Sequence, residues 1–226
     1  MTLASIAPAV RAAGHDVRTQ LLDLAADMFE IGAADLTLED GEIRSVDGTL
    51  RHPITEVTGK LGNAWITGNG SRGPNPDGMA VNTWGCQIAQ VAVDTLTGEV
   101  RVERVVAVHD IGRVINSMGA RSQIVGGVLQ GLGFALMEER VVDPTTGTVV
   151  NAGLEDYKVP TVADLPEIVC ELVDVPDPHL AVGVKGLGEP PIIPTAAAIG
   201  NALAHALGVR LREAPYTPRR VLEALG

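Results

Sequence analysis

Aromatic residues are nearly missing from this 226-residue chain: two Phe, two Tyr and two Trp make up 3% of it. Without them no stacking platform for bases or sugar rings can be built, and the core has to come from Val, Ile, Leu and Ala. Cysteine is rarer still. Cys86 and Cys170 each stand alone, without a CxxC or CxxH neighbour, which excludes a disulfide framework, a zinc site and an iron-sulfur cluster; both are expected to be reduced core thiols. Positive charge is short as well, with 17 Lys and Arg against 28 Asp and Glu and a formal net charge of -11. Such a surface repels polyanions, so nucleic acid and acidic lipid are excluded as electrostatic partners. No run of roughly eighteen uncharged apolar residues occurs, and the first residues lack a basic segment followed by an apolar one. Neither membrane span nor leader is expected, and the expected location is cytoplasmic.

What is present is enough apolar chain to fold. A hydrophobic fraction of 46% with 20% charged residues excludes disorder, and the length suits one large or two small domains. Ile6, Val10, Ala13, Val17, Leu21, Leu24 and Met28 recur at three and four, which predicts an amphipathic helix over 5–29. Asp40-Gly41 lies between alternating segments and predicts a hairpin within 36–48. GNGSRGPNPDG, 68–78, is too dense in Gly, Pro and Asn for regular structure and reads as a long, functional loop. From Trp84 onward, CQIAQVAVDTLTGEVRVERVVAVHDIG predicts two strands around a turn at 94–98, and the same turn spelling returns in DPTTGTV, 143–149. SQIVGGVLQGLGFALMEER, 122–140, reads as a helix despite Gly126, Gly127, Gly131 and Gly133, each of which costs about 1 kcal/mol relative to Ala, so something must pack closely against that backbone. A strand over 167–175 and an apolar helix over 195–208 follow. Strands and helices without regular alternation give an α+β class of mixed sheets with packed helices, and no linker splits the chain cleanly.

Chemistry concentrates in AVGVKGLGEPPIIPTAAAIGNAL. Glu189 sits between Gly188 and Pro190-Pro191 among apolar residues, a setting expected to be poorly solvated, where burial raises a carboxyl pKa toward that of a general base. The alternative is a glutamate near a helix N-terminus, favoured by the helix dipole. Gln123 offers an amide donor and acceptor, or else is a solvated residue at a helix start. His109-Asp110 ends a strand with no nucleophile spaced to use it and reads as structural. His15, His52, His179 and His205 are scattered without metal spacing, and no metal ligands are assigned. Glu138 to Arg140 and Arg210, Arg212, Arg219 and Arg220 read as solvated charge. The glycines of GGVLQGLG lack the preceding strand and downstream acid of a dinucleotide fingerprint, and no GxSxG, HExxH or paired carboxylate supports a hydrolase.

KGLGEPPIIPTAAAIGNAL resembles the G-x-G-E-P-P segment near the C-terminal end of the molybdopterin-binding subunit of the xanthine dehydrogenase and aldehyde oxidase family. VAVDTLTGEVRVERVVAVHDIGRVIN, ARSQIVGGVLQGLGFALMEER and EDYKVPTVADLP resemble the same subunit in the same order, so the likeness spans the chain. The resemblance implies that 1–226 is the C-terminal half of a molybdenum-cofactor-binding domain, in one or two subdomains. It implies an oxidoreductase acting on an aldehyde or N-heterocycle with water as oxygen source, with Glu189 as catalytic base. Gln123 then lies near the pterin and the metal. Gly126, Gly127 and Gly188 let the cofactor approach, with helix N–H groups facing an anionic phosphate, and Ser122 and Arg121 reach toward its tail. The implied cofactor is molybdenum-molybdopterin, in the cytosine dinucleotide form.

The family's subunit is much longer than this chain, and the likeness starts inside a family loop at Thr2 and Ser5. A split subunit and a fragment of a longer one are both open. The resemblance implies partners: a chain carrying the rest of the molybdopterin domain, an iron-sulfur subunit with 2Fe-2S centres and an FAD subunit, since two separated cysteines cannot carry electrons away. The other open reading is a non-catalytic structural subunit, or a degenerate half-domain, that completes a partner's fold; the glutamate at 189 is what separates the two.

Overall fold

The three-and-four spacing of the first thirty residues folds as α1, Thr2–Phe29, in a computed structural model that describes residues 2–226 apart from Asn75, Pro76 and Met79. α1 belongs to one of two compact units, Thr2–Met79 with Leu180–Val182; the other comprises Ala80–His179 and Gly183–Gly226. The division falls where the sequence shows no clean linker.

In the first unit, β1 (Leu36–Glu39) and β2 (Glu42–Ser45) form the expected hairpin, paired from Leu36↔Ser45 to Glu39↔Glu42. Asp40 and Gly41 both have positive φ, 50° and 76°, the pair a two-residue turn of this hand needs. β3 (Arg51–Pro53) adds to β2, and Pro53 leads into a short α2, Ile54–Gly59. Leu36, Ile43 and Val57 close a small core against Ala25 of α1. The first residues of the expected functional loop at 68–78 lie along α1. Asn69 donates to Asp16 Oδ2 at 2.8 Å, Gln20 to the Thr67 carbonyl at 2.9 Å, and Gly68 and Gly70 lie against the backbone of Ala13 and Ala9. Asn75 and Pro76 of that loop are outside the described residues.

The second unit is a mixed sheet with helices on one face. β4 (Trp84–Val93) and β5 (Val100–Asp110) are antiparallel, with a register shift at Gln90/Val91, and β6 (Glu167–Val173) pairs parallel to β5 from Arg104↔Glu167 to Asp110↔Val173. The turns at Asp94 and Asp143 share one chemistry. Gly98 and Gly147 return to the Asp94 and Asp143 carbonyls at 2.7 and 2.8 Å with φ of 77° and 71°. α3 (Ser117–Leu136), α4 (Thr195–Leu207) and α5 (Pro218–Leu225) complete the unit. Ile124, Val128, Leu132 and Ala135 of α3 and Ile199 and Leu203 of α4 bury Val105, Ala107 and Cys170 of the sheet. Gly131 lets α3 close on Thr195 of α4 more tightly than any Cβ would allow. No helix among the described residues is long and apolar enough to cross a membrane.

Four expectations need correction. Cys170 is buried, but Cys86 is exposed: successive strand residues face opposite ways, and Gln87 takes the helix-covered side. α3 begins at Ser117, capped by the Asn116 side chain on the Gly119 N–H at 2.8 Å, and not at Ser122; the N–H groups of Gly126 and Gly127 therefore lie inside the helix and are not free for a phosphate. Glu138 is not solvated charge, since it is half-buried and accepts from the Tyr157 hydroxyl at 2.9 Å, whereas Glu139 and Arg140 are exposed as expected, Glu139 pairing with Arg220 at 2.9 Å. Arg220 itself, on the unforeseen α5, keeps only 14% of its side chain exposed and also donates to the Pro215 carbonyl at 2.9 Å.

Candidate functional site

The site starts where β5 ends. Asp110 accepts from the Gly112 N–H at 3.0 Å and from Lys185 Nζ at 2.6 Å, and Asp177 lies 3.8 Å from the same ammonium. Burial pushes the Asp110 carboxyl up, but the Lys185 and Gly112 donors outweigh it and hold it below the ordinary carboxylate value. Main-chain bonds double the anchor: Lys185 N–H donates to Ile111, and Arg113 N–H to Gly183, at 2.8 and 2.7 Å. The structural reading of His109-Asp110 fits this geometry, with Asp110 as a tether. His109 is fully buried against Gly85, neither ring nitrogen has a partner among the described residues, and burial lowers its pKa.

From Lys185 the chain crosses to α4 through the segment that carries Glu189, and successive carbonyls are captured by different elements. Thr83, ahead of β4, donates its hydroxyl to the Gly186 carbonyl. Gln123 of α3 donates from Nε2 to the Gly188 carbonyl at 2.6 Å. Gln87 of β4 donates from Nε2 to the Pro191 carbonyl at 2.7 Å, and Ile192 N–H closes a turn on the Glu189 carbonyl at 3.0 Å. Pro191 is fully buried against Gly127, where an added methyl would lie 2.5 Å from Pro191 Cβ and 3.0 Å from Ile192 N. What approaches the Gly127 backbone here is thus Pro191, with the Ile192 amide behind it.

Two segments far apart in sequence therefore meet: Gln123 and Gly127 on α3 with Gly188 and Pro191 around Glu189. The expected burial of Glu189 does not hold within this chain, because Glu189 and Gly188 are exposed while Leu187 and Pro191 turn inward. An apolar neighbourhood in sequence states which residues go in, and a polar residue between them can still be left out. Nor is Glu189 at the helix start, since α4 begins only at Thr195 after Pro194.

Beside this junction Ser117, Met118, Arg121, Ser122, Val125 and Gly126 line an open cleft of about 640 Å³. Nothing would lie within 4 Å of a methyl at Gly126, so the helix presents a bare surface there. Arg121 donates to the Cys170 carbonyl from one guanidinium nitrogen, which fixes the cation at the cleft while its remaining N–H groups are available for an anion. A fixed cation, the Ser122 hydroxyl and a bare helix face suit a flat, phosphate-bearing ligand. Among the described residues, no group of three or more His, Cys, Asp or Glu is placed to hold a metal ion. Thr83, Gln87 and Lys185 were not legible as site residues, because each acts on a carbonyl or a carboxylate that no spacing marks.

Residues 1–166 match the model of the molybdopterin cofactor-binding domain. Over 222 residues the chain is 36% identical to the xanthine dehydrogenase molybdenum-binding subunit of Escherichia coli O157:H7, covering 96% of this chain and 29% of that protein. It is 33% identical over 227 residues to the nicotine 6-hydroxylase large subunit of Paenarthrobacter nicotinovorans, covering 95% and 28%. The crystal structure of quinoline 2-oxidoreductase from Pseudomonas putida 86 superimposes with a TM-score of 0.73 at 32% identity, covering 92% of this chain and 28% of that one. The chain thus spans less than a third of the length of these relatives.

Proposed function

Because the chain belongs to the molybdopterin cofactor-binding domain family, we propose that it forms the C-terminal part of the molybdenum-binding subunit of a molybdenum hydroxylase of the xanthine dehydrogenase and aldehyde oxidase type. Its substrate in this reading is an N-heterocycle, or else an aldehyde. Three relatives at 32 to 36% identity that cover nearly the whole chain are named for xanthine, nicotine and quinoline, all nitrogen heterocycles, which favours the first.

The observation that carries this reading is the bond from Gln123 to the Gly188 carbonyl, because it joins the α3 cleft to the residue before Glu189. Molybdopterin, in its cytosine dinucleotide form, supplies a two-electron oxidation with oxygen from water when bound. The chain's own residues orient and move protons around it. Arg121 and Ser122 would hold the anionic tail at the cleft, Gly126 would leave the helix face open to it, and the Gln123 amide, whose donor is committed to Gly188, would offer its carbonyl oxygen as an acceptor. Glu189 takes the proton released as the new carbon–oxygen bond forms; a carboxylate does this best when water is excluded, so in this reading the rest of the subunit covers it. Two electrons leave with each turnover, and an exposed Cys86 with a buried Cys170 offers them no path. An iron-sulfur subunit and an FAD subunit take them in this reading.

Metal analysis of the complex that co-purifies with the chain tests the proposal. Molybdenum near one atom per chain supports it. A substrate-oxidising complex without molybdenum overturns it, and full molybdenum with unchanged turnover in Glu189→Gln would leave the chain a structural part only.

A further inference from the structure

Glu189 stands on the surface of its unit, yet the backbone on both sides of it is held. On one side Gln123 takes the Gly188 carbonyl at 2.6 Å. On the other Gln87 takes the Pro191 carbonyl at 2.7 Å. Only Glu189 and Pro190 lie between the two clamps. The two clamps differ in kind. Gln123 is exposed on α3, whereas Gln87 is 8% exposed and Thr195 is fully buried. A buried amide and a buried hydroxyl are costly to leave unpaired, so their mutual bonding is strongly specified.

The network is closed. Thr195 donates its hydroxyl proton to Gln87 Oε1 at 2.7 Å, which orients the amide so that its nitrogen faces Pro191. The same hydroxyl lies 3.2 Å from the Pro191 carbonyl, so both side chains converge on one oxygen. Thr195 is in turn wedged against Gly131, and Pro191 against Gly127. The amide that sets the loop is thus buried beneath α4, while the carboxylate it governs is exposed.

We propose that Gln87, oriented by Thr195, is the positioning residue that fixes where the Glu189 carboxylate points; the role in turnover rests on Glu189 being the base. Gln87 touches no reacting atom. It acts through the Pro191 carbonyl and the turn in which Ile192 N–H bonds the Glu189 carbonyl at 3.0 Å. Pro190 and Pro191 have no N–H and a fixed φ, so the Ile192 amide is the first one after Glu189 that can report the turn.

The test uses the assembled enzyme and two readouts. Gln87→Met keeps length and removes both hydrogen-bonding functions. Hydrogen exchange at the Ile192 amide should then rise about tenfold or more, the scale of one lost hydrogen bond, while amides of β5 and β6 keep their protection. Turnover should fall about ten- to a hundredfold in kcat with KM and molybdenum content unchanged, as misplacement of a reacting group predicts. Thr195→Val should show both effects in weaker form, and Thr195→Ser, which keeps the hydroxyl, should restore both. Unchanged exchange at Ile192 in Gln87→Met overturns the proposal, as does an equal rise across the whole unit, which would make the pair a general stability element. If Glu189→Gln keeps full turnover, the base reading falls while the exchange result at Ile192 stands. If Glu189→Gln loses turnover and Gln87→Met keeps it, the positioning role falls alone.

Discussion

The side-chain amide of Gln123 is bonded to the main chain of Gly188, 65 positions later, at 2.6 Å. One contact thereby ties the glycine-rich helix to the glutamate segment, and the behaviour of each should depend on the other.

Replacing Glu189 by Gln keeps volume and removes the base. In the assembled enzyme, turnover should drop by roughly two to four orders of magnitude with molybdenum content preserved, measured as kcat beside metal analysis. Turnover within a factor of two of the parent would remove Glu189 from the chemistry.

Produced without partners, the chain should contain no molybdenum and oxidise no substrate even with an artificial electron acceptor, since less than a third of the relatives' length is present. Co-expression with the rest of a molybdenum-binding subunit should yield a stable complex on size-exclusion chromatography. Oxidation by the isolated chain would contradict the half-site reading.

Neighbouring glycines on α3 should respond in opposite directions. Gly126→Ala meets nothing within 4 Å and should gain up to about 1 kcal/mol from helix propensity. Gly127→Ala places a methyl 2.5 Å from Pro191 Cβ and should lose about 1–3 kcal/mol through overpacking. Urea denaturation of both variants checks the pair; equal effects would show that Pro191 does not rest on Gly127.

Burial depresses the pKa of His109, which stays neutral in the fold. The unfolded chain takes up a proton at this residue near pH 6.5, so below that pH the unfolded state binds more protons. The stability this neutral imidazole carries is fully present above about pH 6.5 and is lost as pH falls toward the folded-state value, by at most about 1.4 kcal/mol per pH unit. His109→Leu should lack that slope. Denaturation series from pH 8 to 5 on both proteins compare the two, and parallel curves would disprove it.

Arg220→Met should destabilise by about 1–3 kcal/mol, because a charge-assisted bond to the Pro215 carbonyl and a largely buried guanidinium are lost. Arg219→Met, whose partner Glu223 is itself exposed, should change stability by less than about 0.5 kcal/mol. Thermal melts distinguish the neighbours.

The elements that sequence periodicity finds are those whose signal is local. α1, the Asp40-Gly41 hairpin, β4, β5 and α4 each carry a full pattern of apolar spacing and turn residues. β3, α2 and α5 do not, since three to eight residues are too few to show a period; Pro53 precedes α2 and Pro218 opens α5, places where a proline fits because no intrahelical N–H is needed. The start of α3 is hidden for another reason: Ser117 to Arg121 carries no apolar stripe, and only the Asn116 cap marks it. At the site, Glu189 and Gln123 are visible because a motif surrounds them. Gln87 and Thr83 are invisible because any donor can capture a carbonyl, and which one does is decided by the tertiary fold. The misjudged solvation of Glu189 has the same origin, as composition does not encode which way one side chain leaves a loop.

The bonds that hold the Glu189 segment span 104 positions from Gln87 to Pro191 and 65 from Gln123 to Gly188. Closing loops of that length costs chain entropy that short-range contacts must first offset, so the β4–β5 hairpin and α3 can form from local contacts while the site cannot. On a ribosome the residues around Glu189 emerge after β4, β5, α3 and β6 are all made. A nascent chain can therefore hold a nearly complete sheet and still have no site, and occupancy by a ligand would register that the last crossing to α4 has been completed.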